Sequence, residues 1–178
     1  MFELENFTKA KLTEVAVLSQ KNREPDANPG CALSFSMELS NHFLAHFDGS
    51  LKHFLYAKSA ATTTPKQKGL EGVDEISDTP NLTVAGSRIG KFHWDHDLMG
   101  YELAIDHGLG GASNLTIGDV QLSSFRIDPK EGGTIVLTFL AESNDVPEGV
   151  FGKLATLKNR EVSIQLAPAE AAQSDLDK

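Results

Sequence analysis

The sequence predicts a mainly β protein, an antiparallel β-sandwich or flattened barrel with one amphipathic helix and a second short helix. Three observations carry that expectation. Apolar residues alternate strictly with small or polar ones in Cys31–Ser40, in Tyr101–Asp106 and in Glu161–Leu166. Strict alternation sends one set of side chains to a core and the other to water, as in an antiparallel strand with one wet face. Second, Val120–Ala141 reads as a hairpin around Asp128-Pro129-Lys130-Glu131-Gly132-Gly133, where proline sets φ and the glycines supply positive φ for the reversal. Third, segments with helical periodicity are fewer than those with period two. Seven or eight strands result.

Taken in order, Leu12–Leu18 is a less regular strand. Cys31, Leu33, Phe35, Met37 and Leu39 then form one apolar face. From Asn41 to Tyr56 the spacing of Phe43, Leu44, Phe47, Leu51, Phe54 and Leu55 follows one buried helical stripe, with Ser40 or Asn41 as N-cap. Gly49 weakens this helix, since an interior glycine costs about 1 kcal/mol relative to alanine. Residues 57–80 lack apolar period and read as a long surface loop, a kind of segment that is usually functional or mobile. Leu115 and Ile117 resume alternation. Within the hairpin's first strand, apolar parity changes between Val120/Leu122 and Phe125/Ile127, which places a β-bulge or bend at Ser123–Ser124. Thr134–Ala141 is apolar at nearly every position and reads as a central strand covered on both faces. Glu148–Leu157 supplies the short helix. Residues 1–168 are thus expected to form a single β-rich domain, followed by a flexible acidic tail over 169–178.

Composition narrows the function classes. The chain has 178 residues, 16 Lys+Arg against 25 Asp+Glu, and a formal charge of −9. An acidic total argues against broad, salt-driven binding to duplex DNA. No apolar run approaches the roughly 18–20 residues of a membrane span, and the acids in MFELENFTKAKL do not suit a signal peptide. A single cysteine, Cys31, excludes an internal disulfide framework and fits a reducing compartment. The expectation is a cytoplasmic protein with no membrane partner.

Candidate chemistry is sparse. His93-Trp94-Asp95-His96-Asp97 resembles a metal site: on a strand His93 and Asp95 would share a side, and His107 could approach from a paired strand. The alternative is a strand with Phe92 and Trp94 inward and His93 and Asp95 in water, and no diagnostic ligand spacing favours the metal. His42 and His46 stand four apart but lie on the shoulder of the apolar stripe, without the glutamate of a metalloprotease helix. Gly108–Ser113 lacks the Lys-Ser/Thr of a phosphate loop, and no G-x-S-x-G elbow occurs. Cys31 reads as a buried, inert thiol. No cofactor, catalytic residue or tightly bound metal is expected. The interaction candidates are Tyr56, Lys58, Lys66, Lys68 and Trp94, where exposed rings beside loop lysines could stack and hold a single strand of nucleic acid.

Four segments carry a resemblance: NHFLAHFDGSLKHFLY, GKFHWDHDLMGYELAIDHGLG, FRIDPKEGGTIVLTF and NREVSIQLAP. Spanning roughly Leu12 to Pro168, they are similar to a family of uncharacterised accessory proteins of tailed phages and mobile elements. The resemblance implies a setting in phage replication, recombination or counter-defence inside a host cell, and it brings no site residues with it. The leading expectation is a non-enzymatic protein that binds a host or phage protein of nucleic-acid metabolism or defence, or that self-associates. A single-stranded nucleic-acid-binding accessory factor is the alternative. A metal-dependent enzyme using His93, Asp95, His96 and His107 is the third reading.

Overall fold

The computed structural model describes residues 2–18, 28–58, 79–108 and 114–168. The expected loop over 57–80 and tail over 169–178 fall largely or wholly outside them. The protein is mainly β, as expected. Nine strands occur among the described residues: β1 (Leu4–Leu18), β2 (Gly30–Ser40), β3 (Tyr56–Ala57), β4 (Asn81–Leu82), β5 (Phe92–Trp94), β6 (Leu98–Asp106), β7 (Leu115–Lys130), β8 (Thr134–Ser143) and β9 (Glu161–Pro168). The helices are a 3₁₀ turn at Asn41–His46, α1 (Leu51–Leu55), α2 (Val84–Ile89) and α3 (Glu148–Leu157).

Strand order is β5-β7-β6-β9-β1-β2-β8, and β8 also pairs with β7. Six strands therefore hydrogen-bond in a closed antiparallel ring, with β5 attached to β7. The long β1 pairs antiparallel with both β2 and β9, with register breaks between Leu12 and Glu14 and between Leu4 and Thr8. Its first half was not expected as strand, because Asn6, Thr8 and Lys9 interrupt the apolar period.

The chain divides into two compact units. One comprises Met1–Phe2, Glu38–Trp94 and Arg126–Leu137, the other Glu3–Met37, Asp95–Phe125 and Thr138–Lys178. In the second, alternation decides burial. Leu33 and Phe35 on β2, Leu103 and Ile105 on β6, Phe139 on β8, and Ile164 and Leu166 on β9 are buried. Phe139 stacks between Phe35 and Phe125, with ring centroids 5.6 and 5.9 Å away. Phe rings in such offset arrangements contribute beyond their buried area.

In the first unit, Tyr56, Leu44, Leu55, Ile127 and Ile135 form the interior. The β7–β8 turn is Glu131-Gly132-Gly133, shorter than the expected reversal from Asp128, and both glycines have positive φ (90° and 78°). The turn is held from two sides: Asn41 N–H donates to Gly133 O, and Gly132 N–H donates to Pro80 O, both at 2.8 Å. Asn41 is fully buried and its Nδ2 donates to Thr79 O at 2.9 Å. It therefore does not cap the helix. Ser40 does, its side chain accepting from His42 N–H.

Two further expectations are corrected. The single helix over Asn41–Tyr56 is instead a 3₁₀ turn and the separate α1, interrupted at Phe47–Ser50. Asp48 accepts from both the backbone and the hydroxyl of Ser50, an alternative to helical bonding that Gly49 beside it does nothing to oppose. β8 is not covered on both faces, since Ile135, Leu137, Phe139 and Ala141 are buried while Thr134, Val136, Thr138 and Leu140 are half-exposed. The expected break at Ser123–Ser124 is present: Ser123 is buried, Ser124 has φ 54°, and burial parity changes across them. A second break, with Asp119 at φ 49°, accompanies the register shifts between β6 and β7. α3 has the expected bounds.

Candidate functional site

Residues 51–58 and 79–91 build one compact motif, α1–β3 followed by β4–α2. Two antiparallel bridges, Tyr56↔Leu82 and Ala57↔Asn81, join its halves. Thr83 is the N-cap of α2: its hydroxyl oxygen accepts from Gly86 N–H at 2.9 Å, and its proton goes to Phe54 O at 2.7 Å. Thr83 N–H donates to Leu55 O at 2.9 Å. Any Cβ at position 86 would collide with the Leu55 carbonyl oxygen, so glycine is what lets the two helices approach this closely. Gly90, at φ 61°, ends α2 in a conformation that other residues rarely adopt.

Leu55 and Tyr56 anchor the motif from inside. Tyr56 is 2% exposed, which differs from the exposed ring expected of a stacking platform. Its hydroxyl lies 2.7 Å from Thr134 O and 3.0 Å from Lys130 O, and accepts from Lys130 N–H at 3.1 Å. Burial, and then the carboxylates of Glu131 and Asp128, push this phenol up to about 12 although the Lys130 hydrogen bond opposes the rise. Tyr56 is thus a structural plug that ties the motif to the β7–β8 hairpin.

With these inner positions taken, three large apolar side chains remain outside: Phe54 on α1 is 53% exposed, and Val84 and Ile89 on α2 are 71% and 43% exposed. Lys58, Arg88 and Lys91 are exposed on the same segments. No Asp or Glu occurs in residues 49–58 or 79–91. The carboxylate of Glu131, from the β7–β8 turn, accepts from Leu82 N–H at 3.2 Å. Sequence reasoning found Lys58 here but missed the apolar trio, because α2 has no helical period over its six residues and Phe54 was assigned to a buried stripe.

The remaining candidates are dispersed. Lys66 and Lys68 lie outside the described residues. Trp94, expected to be exposed, is half-buried and makes a T-shaped contact with Phe47, centroids 6.2 Å apart at 69°. Phe47 in turn packs on Phe2 at 5.6 Å. His93 and Asp95 are exposed, with His93 on β5 and Asp95 beyond its end. β5 pairs with β7, whereas β6, which precedes His107, neighbours β7 and β9; the expected pairing that would bring His107 to His93 is not made. Among the described residues no group of three or more His, Cys, Asp or Glu side chains could hold a metal ion. His42 Nδ1 accepts from Lys52 Nζ at 3.1 Å, and His46 stacks on Phe43 at 5.3 Å. Cys31 is buried, and desolvation pushes its thiol up to about 11 against a backbone hydrogen bond from Ser143.

Among the described residues no helix is long and apolar enough to cross a membrane. Comparisons with protein-family models, curated proteins and solved structures returned no match.

Proposed function

We propose that this protein is a non-enzymatic binding protein that docks another protein through the α1–α2 motif. The observation that carries the reading is the exposure of Phe54, Val84 and Ile89 on helices locked from beneath by Gly86, Leu55 and Tyr56. Large apolar side chains held in fixed positions contribute to association because they lose little freedom when a partner covers them. The scaffold is β, of the barrel kind among the two expected, since its strand pairings close on themselves. The resemblance carried by the four quoted sequence segments supports a setting among accessory proteins of tailed phages or mobile elements. Its partner is then a host or phage protein of nucleic-acid metabolism or defence, met inside the host cell.

The test is site-specific photo-crosslinking in cells, with the reactive residue at position 84 on the motif or at the exposed Thr116 on β7 as control. The reading expects a discrete protein adduct from position 84 and none from position 116. Adducts to nucleic acid from position 84, or no protein adduct over repeated captures, would overturn it and return the single-strand-binding alternative to first place.

A further inference from the structure

Resting on that reading, we infer that the α1–α2 motif recognises an acidic segment studded with apolar side chains on its partner protein. The chain as a whole carries a formal charge of −9, yet the described residues of the motif hold Lys58, Arg88 and Lys91 and no carboxylate. None of these three cations makes an ion pair among the described residues; the pair given there is Lys130–Asp128, at 2.8 Å. Exposed cations and the exposed Phe54, Val84 and Ile89 share the same short segments, and together they set two demands. The apolar groups are covered only by apolar groups, and the cations attract carboxylates while repelling basic partners.

A single strand of nucleic acid meets the second demand but not the first. Its bases stack on aromatic faces, and of the three apolar groups only Phe54 offers one, while Val84 and Ile89 are aliphatic. An acidic, apolar-studded peptide meets both. The net negative charge of the whole chain opposes non-specific association with an acidic partner, so attraction depends on local cations such as those of the motif.

The test uses the full chain and two fluorescein-labelled peptides. One has Asp and Glu interleaved with Leu and Phe, and the other has Lys at every acidic position. Anisotropy should report saturable binding of the acidic peptide, weakened by salt, and none of the lysine peptide. Phe54→Ser with Val84→Ser should weaken it about tenfold or more. Arg88→Glu with Lys91→Glu should weaken it to a similar degree and reduce the salt dependence. Thermal melts matching the parent establish that both variants are folded. Several results would overturn the inference: no binding of the acidic peptide, equal binding of the lysine peptide, or binding indifferent to both pairs of substitutions. So would a preference for phosphatidylserine vesicles or a single-stranded oligodeoxynucleotide over the acidic peptide, or self-association that both pairs abolish while peptide binding is absent. If the crosslink at position 84 persists while the acidic peptide fails, the docking reading stands and only the partner's chemistry falls.

Discussion

The strands of the second unit and the α1–α2 motif of the first distribute their apolar residues by different rules. On β2, β6 and β9 the position in the alternation decides burial. Leu33, Phe35, Leu103, Ile105, Ile164 and Leu166 are inside, and Glu102 and Glu161 point out. Phe7, Val17 and Met99 escape that sorting as single exposed residues on strands, which is ordinary for a protein surface. The motif instead places Leu55, Tyr56 and Gly86 inward and leaves Phe54, Val84 and Ile89 outside within two consecutive helical segments. On α2 the position facing Leu55 is taken by Gly86, where a Cβ would meet the Leu55 carbonyl oxygen, so the larger Val84 and Ile89 do not occupy it. The difference is that the strands bury their apolar residues by alternation, whereas the motif leaves three large ones exposed.

Substitutions can break that contrast, beginning with the largest effect. Phe139→Ala removes the ring between Phe35 and Phe125 and should destabilise the fold by about 3–5 kcal/mol, as large-to-small changes in packed aromatic cores do. Urea denaturation followed by tryptophan fluorescence and circular dichroism would read it. A cost below about 1 kcal/mol would mean that the strand core is less organised than its alternation implies.

Gly86→Ala comes next. The added methyl must displace backbone at Leu55, so we expect a loss of about 1–3 kcal/mol, typical of overpacking. An ordinary exposed helical glycine would respond in the opposite direction, gaining up to about 1 kcal/mol on replacement by alanine. The sign of the change therefore decides whether α2 is held against α1. Tyr56→Phe keeps the buried ring but leaves Lys130 N–H and Thr134 O without the phenolic partner, for a loss of about 1–2 kcal/mol.

Much of this was legible in the amino-acid order, and the division follows the physics. Strands announce themselves through parity, so β2, β6, β9 and the hairpin were readable, as was the parity change at Ser123–Ser124. α3 was readable because Val150, Phe151, Leu154 and Leu157 recur at helical spacing. The 3₁₀ turn and α1 were not separable, because Phe43, Phe47, Leu51 and Leu55 continue one spacing across a break made by the Asp48 side chain. Nor could the motif be read. Its construction depends on Thr83 and Gly86 meeting Phe54 and Leu55 from about thirty residues away, and period within a segment carries no information on such meetings. Tyr56 read as an exposed ring at the helix end because its partners, Lys130 and Thr134, lie 74 and 78 residues away in the sequence.

Two buried acids sharpen the contrast through pH. In the unfolded chain the Cys31 thiol ionises near 9 and the Tyr56 phenol near 10; folded, they hold their protons to about 11 and about 12. The folded state therefore binds more protons across that range, and stability must fall as pH rises from 9 through 12. The contribution is complete below pH 9. Cys31→Ser and Tyr56→Phe, measured by denaturation between pH 8 and 11, should each remove the part of the decline that belongs to its own group. A decline unchanged by either would assign it elsewhere.

The smallest expected effect on stability is the most informative about presentation. Phe54→Ser and Val84→Ser alter side chains that already face water, so each should change unfolding free energy by no more than about 0.5 kcal/mol. Val84 should cost least, being the more exposed of the two, and serine at 54 keeps the Thr83 hydroxyl bond because that bond uses the Phe54 backbone carbonyl. The same two changes should cost docking about tenfold, as proposed above. Stability and binding thus separate at these positions, whereas at Phe139 and Gly86 they fall together. If either serine variant loses more than about 1 kcal/mol of stability, its side chain is part of the core of the folded protein, and the division between a sorted β scaffold and a presenting motif fails at that residue.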